Sequence, residues 1–203
     1  MNYSNIEQLL DLKYNLILAS SSPRRKKLLE NLGFQFEVIS PNIDEDVFPE
    51  HLQPKEIAIF LSLQKAKNIA QNISSNKIVI SADTIVVLNN EILNKPIDYA
   101  DAKQILQKLS NNTHIVYTGV TVINTTTAKI ISEVKATEVT FRKLENEEID
   151  FYIKSGSPMD KAGAYGIQDD FGAIFVKEIK GCYYNIVGLP LEMLYQMLKE
   201  IIK

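Results

Sequence analysis

Three consecutive hydroxyls, Ser20, Ser21 and Ser22, lead into Pro23 and then into four cations, Arg24, Arg25, Lys26 and Lys27. A serine ahead of a proline reads as a helix N-cap with proline at the first helical position. The backbone N–H groups freed at such a start bind anions, and small hydroxyls beside them add hydrogen bonds. Cations in a first helical turn oppose the helix dipole, so local stability does not account for them. The plain alternative is a solvated basic face. The serines, and the apolar run Leu16 to Ala19 before them, favour a phosphate cradle at the end of a buried strand.

A lone carboxylate, Asp83, follows the apolar run Ile78 to Ala82 and precedes a second one, Ile85 to Leu88. This spacing places it at a strand end, where ligands of α/β sheets gather. It has no helix to cap, which favours chemistry over a capping role. Asp44, Glu45 and Asp46 lie in a loop broken by Pro41, Asn42 and Pro49. Alone they read as solvated charge; beside a phosphate cradle they become candidate ligands of a hard, magnesium-like cation. Lys65 and Lys95, taken singly, read as surface lysines. The run Lys161 to Gly166 resembles a fragment of a glycine-rich loop but matches neither a P-loop nor a dinucleotide fingerprint. His51 and His114 stand apart in sequence, which argues against a zinc centre or a Ser-His-Asp triad.

The elements that must position these groups alternate. A helix from Pro23 stops at Gly33, followed by a strand over Phe34 to Val38; an amphipathic helix runs from Pro54 to about Asn72. Lys77 to Ala82 reads as a strand, Asn89-Asn90 as a tight turn, and Asp98 as the cap of a helix to about Leu109. His114 to Asn124 and Lys129 to Phe141 read as a long hairpin, Glu145 to Lys154 as a helix. Ala173 to Ile179 with Cys182 to Val187 reads as a second hairpin, before a closing helix over Leu191 to Ile202. The whole of 1–203 reads as one α/β domain with a mixed sheet and flanking helices.

A formal net charge of -3 makes the basic cluster local, which excludes the broad positive surface of a nucleic-acid binder and favours a small anionic ligand. A single cysteine, Cys182, permits no internal disulfide. With no membrane-length apolar run and no signal-peptide pattern, the chain reads as cytoplasmic.

Five segments then carry a resemblance: Leu18-Ala-Ser-Ser-Ser-Pro-Arg-Arg25, Ser81-Ala-Asp-Thr-Ile-Val86, Asn94-Lys-Pro96, Ser155-Gly-Ser-Pro-Met-Asp-Lys-Ala-Gly-Ala-Tyr-Gly-Ile-Gln168 and Val187-Gly-Leu-Pro-Leu191. In this order they resemble the Maf family of nucleoside triphosphate pyrophosphatases. The resemblance implies a Maf/ITPase-like fold with a twisted mixed sheet forming two lobes around a nucleotide cleft, hydrolysis of a nucleoside triphosphate to monophosphate and pyrophosphate, a divalent cation (Mg²⁺ or Mn²⁺), and a cytoplasmic enzyme that is often a homodimer. Matched by position, Ser20 and Arg25 fall on phosphate-binding positions, and Arg24, Thr84 and Gln168 on positions linked to base selectivity. Asp83 falls on the proton acceptor, and Glu45, Lys65 and Lys95 on acidic and basic groups lining the cleft. The Lys-Ala-Gly-Ala-Tyr-Gly-Ile-Gln form is similar to the branch acting on dTTP and UTP. The local departures are Asp44 and the run Asp169-Asp170-Phe171.

On these charges the expected mechanism has Asp83 orient or deprotonate water for attack on the α-phosphorus, directly or through a cation shared with Glu45. Ser20, the helix start, Arg25, Lys65 and Lys95 would hold the triphosphate and stabilise the leaving group. Two other functions fit the same motifs: a nucleotide-binding regulator of cell division at septum formation, and a pyrophosphatase for modified purine nucleotides.

Overall fold

Leu16 to Ala19 are almost fully buried, and an apolar run of this kind needs neighbours on both edges. In a computed structural model, which describes residues 6–74, 76–168 and 171–203, it has them. The order is α1 (Ile6–Leu9), β1 (Asn15–Ala19), α2 (Pro23–Asn31), β2 (Phe36–Val38), α3 (Pro54–Ala70), β3 (Lys77–Leu88), β4 (Glu91–Leu93), α4 (Tyr99–Leu109), β5 (Thr113–Asn124), β6 (Ile130–Phe141), α5 (Asn146–Lys154), β7 (Val176–Lys180), α6 (Tyr183–Val187) and α7 (Leu191–Ile201). Short 3-10 turns occupy Ser157–Asp160, Ala162–Ala164 and Phe171–Phe175. The strands order as β2-β1-β3-β5-β6-β7, with β4 paired to β3. Pairing is parallel for β1 with β2 and β3, and antiparallel for β4 on β3 and β7 on β6. This is the mixed α/β sheet with helices that the alternation predicts. Asp169 and Asp170 lie outside the described residues.

The chain divides into two compact units. The first comprises 1–83, 118–135 and 188–203; the second comprises 84–117 and 136–187. β3, β5 and β6 run from one into the other. In the first unit Ile17, Ala19, Val79 and Ile123 pack with Ala66 and Ile69 of α3. Each large side chain buried there contributes about 1.5–3 kcal/mol. α2 begins as expected: the Ser22 side chain accepts from Arg25 N, Pro23 takes the first position, and Gly33 leaves the helix at φ +80°. Among the described residues no helix is long and apolar enough to cross a membrane.

The structure corrects three element readings. β3 is one strand of 12 residues, with no break at Asp83-Thr84. Asp83 therefore stands inside a strand and not at its end, because a buried cation, described below, meets its charge. Cys182 to Val187 is not a strand. Gly181 turns the chain at φ +136°, and Asn185 Nδ2 donates to Val116 O and Thr137 Oγ1, both at 2.9 Å, so a short helix is tied down where period-2 reading saw a hairpin. The strand after Gly33 shrinks to three edge residues, since Phe34 turns into the core at 4% exposure while Val38 is 41% exposed. By contrast Asn89 and Asn90 both take positive φ, 50° and 66°, and close the β3–β4 hairpin as a tight turn should.

The second unit centres on aromatic rings. His114 of β5 meets Phe141 and Tyr165 edge-on at 5.1 and 5.4 Å, and its Nε2 lies 2.8 Å from Tyr165 Oη. Nδ1 is buried with no hydrogen-bond partner. Burial pushes the imidazole down from 6.5 to about 4. The folded state resists the proton that the unfolded chain accepts, so this stabilisation is complete above pH 6.5 and is lost as pH falls from there through 4. Denaturant titrations at pH 7, 5.5 and 4 are expected to show wild-type stability falling by on the order of 3 kcal/mol from this group. His114→Asn should show a clearly shallower fall; equal slopes would mean that His114 is not the group responsible.

Candidate active site

Helix α3 buries the stripe Ile57, Ala58, Leu61, Ser62, Lys65, Ala66 and Ile69, spaced by three and four residues. A lysine in such a stripe is a charge carried into the core. Lys65 Nζ donates to Asp83 Oδ1 at 2.5 Å and meets Glu45 Oε1 at 2.6 Å. Its side chain is 5% exposed and that of Asp83 8%. One ammonium thus joins a carboxylate of β3 to one from the acidic loop. Pairing at this burial is what allows both charges to persist.

The approach of α3 to the sheet is fixed by contacts at matching intervals. A Cβ on Gly119 of β5 would lie 2.2 Å from Ala58 O, so only glycine fits there. One turn on, Ser81 Oγ donates to Ser62 O at 2.6 Å, and Ser62 Oγ lies 3.0 Å from Thr121 Oγ1. Three residues after Ser62 comes Lys65, and two after Ser81 comes Asp83, on the same faces of helix and strand. Gly119, Ser81 and Ser62 carried no signal in the chain read alone. The position of Lys65 within the apolar stripe was the overlooked clue.

In the cradle, Arg25 is buried at 8% exposure. Its Nη1 donates to Ser20 Oγ at 3.1 Å and its Nε to Gly188 O at 2.8 Å. Ser22 N donates to Ser20 Oγ at 3.2 Å, so Ser20 links the guanidinium to the turn before α2. Burial pushes the Arg25 guanidinium below its usual value; Asp83 and Glu45 pull it back up, and Arg24 opposes them. The two carboxylates that hold Lys65 therefore act on Arg25 as well. Lys26 and Lys27 do not join this group: both are exposed, and Lys26 pairs with Glu30 at 3.7 Å. Asp44 and Asp46 do not join it either. Both are exposed, and Asp44 Oδ1 accepts from Asp46 N at 3.0 Å in a local turn. Arg24 is half-buried on α2.

Thr84, Lys95 and Gln168 belong to the second unit. Thr84 follows Asp83 on β3, and Lys95 sits exposed beyond β4. Gln168 is half-buried after the glycine-bearing loop. That loop is held in two ways. Gly163 N donates to Asn94 O at 3.3 Å, beside Lys95, and a Cβ on Gly163 would lie 2.9 Å from the Val86 methyls, two residues beyond Thr84. Tyr152 Oη accepts from Gly166 N at 3.1 Å. The second unit thus fastens the segments bearing these three residues to one another.

The family model for "Maf-like protein" matches residues 15–201. The chain belongs to the Maf family. It is 50% identical over 190 residues to a protein of Clostridium beijerinckii named dTTP/UTP pyrophosphatase, covering 92% of this chain and 98% of that one. A Phocaeicola vulgatus protein of the same name is 44% identical over 189 residues, covering 93% and 97%. Among solved structures, the Staphylococcus aureus Ham1 protein superposes with a TM-score of 0.50 at 16% identity, over 92% of this chain and 98% of that one. The Ham1 likeness concerns the fold alone.

In this Maf chain, the fit of α3 to the sheet is testable by filling it. Gly119→Ala is expected to cost about 2 kcal/mol, the scale of overpacking a tight interior. A denaturation midpoint unchanged from wild type would show that helix and strand part without strain.

Proposed function

We propose that this chain is a nucleoside triphosphate pyrophosphatase that hydrolyses dTTP and UTP, and modified pyrimidine nucleotides of similar shape, to the monophosphate and pyrophosphate. The observation that carries the reading is the buried pair Asp83 and Lys65, joined by the half-buried Glu45, beside Ser20 and Arg25, in a family member 44–50% identical to proteins named for that activity.

In the proposed reaction, water attacks the α-phosphorus, a P–O bond forms, and the bond to the oxygen bridging the α- and β-phosphorus breaks. Asp83 orients the water and takes its proton. Ser20, the N–H groups at the start of α2 and Arg25 bind phosphate oxygens, and Arg24 acts in base selectivity. Lys65 and Lys95 supply charge against that developing on departing pyrophosphate. Thr84 and Gln168 read the base: a glutamine amide both donates and accepts, matching the ring N–H and carbonyls of uracil or thymine.

The donor set fits a divalent cation of the magnesium class. Asp83 and Glu45 already place oxygens on one cationic nitrogen, at 2.5 and 2.6 Å. Among the described residues no group of three or more His, Cys, Asp or Glu could hold a metal alone, and magnesium sites commonly use one or two carboxylates completed by substrate phosphates. Glu45 and Asp83 would hold the ion, which when bound would polarise the phosphoryl oxygens and lower the pKa of water. The proposal includes a cytoplasmic setting, a nucleoside triphosphate as the small-molecule partner, and a homodimer.

The test is incubation of the purified chain with each nucleoside triphosphate and Mg²⁺, with products identified. Pyrophosphate and monophosphate from dTTP and UTP, ahead of CTP, ATP and GTP, are expected. Asp83→Asn should lose roughly 100-fold or more in turnover. Gln168→Ala should flatten the ranking of bases more than it slows the best substrate, because a buried polar site deprived of its partner discriminates poorly. Orthophosphate as the first product, or a preference for purines, would overturn the assignment.

A further inference from the structure

We infer that Lys65 occupies the cation position between Asp83 and Glu45 and leaves it only for the phosphates of an arriving nucleotide, so that a divalent ion enters together with the triphosphate and not before it. This rests on the pyrophosphatase reading above and concerns how the same site is loaded.

The oxygens that suit a hard cation, Asp83 Oδ1 and Glu45 Oε1, are those already held by Lys65 Nζ at 2.5 and 2.6 Å. An ammonium and a divalent ion cannot share that pair of oxygens, because at such distances and with Lys65 only 5% exposed their repulsion is weakly screened. The charges need no further cation as they stand, and Arg24 adds positive charge on Arg25. Asp83 and Glu45 are met by Lys65 and by Arg25, on which both carboxylates act. A divalent ion alone would leave the group strongly positive, whereas an ion with a triphosphate brings more negative charge than positive and gives the displaced ammonium a new partner.

Of the two cations, Lys65 is the one free to move. The Arg25 fork is fastened to Gly188 O at 2.8 Å and to Ser20 Oγ at 3.1 Å. Lys65 is a point charge on a flexible four-carbon stem. Among the described residues its ion-pair partners are the two carboxylates that the ion would take. Lys65 thereby keeps the carboxylates compensated between turnovers and becomes a phosphate ligand during them.

Free Mn²⁺, counted by its electron paramagnetic resonance signal in the absence of nucleotide, tests this directly. Lys65→Met is expected to bind Mn²⁺ at least tenfold more tightly than wild type, and adding Glu45→Gln should remove the gain. Equal or weaker binding by a folded Lys65→Met variant, or no effect of Glu45→Gln on the gain, would overturn the inference. Wild-type protein with ¹⁵N-labelled lysine gives a second measurement that needs no variant. The Lys65 Nζ signal should shift on adding Mg²⁺ with α,β-methylene-dTTP and stay in place with Mg²⁺ alone; a shift with Mg²⁺ alone, or none with the analogue, would contradict it. Pyrophosphate release from dTTP by the same preparation reports separately on the pyrophosphatase reading.

Discussion

A single ammonium, Lys65 Nζ, is shared between Asp83 and Glu45 in a place where neither Lys65 nor Asp83 would be tolerated alone. Taking a lysine and an aspartate out of water costs several kcal/mol per ion, and only close, well-directed pairing offsets it. The pairing has structural conditions. α3 must lie close enough to β5 that Gly119 faces the Ala58 carbonyl without a side chain between them, and its register on β3 must bring Ser62 to Ser81. The parallel pairing of β1 with β3 sets Ser81 beside Ala19, the residue before Ser20, so the cradle and the carboxylate rise from neighbouring strands. The acidic loop then needs to deliver only one side chain, Glu45.

The second unit solves a different problem, holding a glycine-bearing segment in one conformation. It does so with backbone bonds and rings in place of buried charge. Gly163 is pressed on Val86 and bonded to Asn94, Gly166 is bonded to Tyr152, and Tyr165 meets His114 and Phe141 edge-on.

Much of this was legible in the chain. The start of α2, the Asn89-Asn90 turn, the Asp98 cap and the closing helix follow from local chemistry and appear where the residues place them. Cys182 to Val187 did not, because its helix is decided by Asn185 reaching Val116 and Thr137, contacts remote in sequence. The unbroken β3 did not either, since an aspartate inside a strand looks like an ending until its cation is known. Ser20, Arg25 and Asp83 stood out as candidate site residues by type and context. Lys65 needed the family resemblance, although the apolar stripe of α3 held a usable sign of it, and the residues alone offered Glu45 only as one of three acidic candidates. Gly119 and Ser62 were invisible, and the contact of Ser81 with α3 was too: small residues announce a close approach only when the partner surface is present.

The central claim is that Lys65 and Asp83 are held in place by each other, and a double-mutant cycle on folding stability tests it most directly. Lys65→Met, Asp83→Asn and the double variant would be unfolded in denaturant alongside wild type at neutral pH. Removing one partner strands the other, so each single change should be costly, up to about 3–5 kcal/mol. The double variant should lose less than the two losses added together, by about 1–3 kcal/mol. Losses that add to within about 0.5 kcal/mol would mean the two charges do not depend on one another, and would contradict the account.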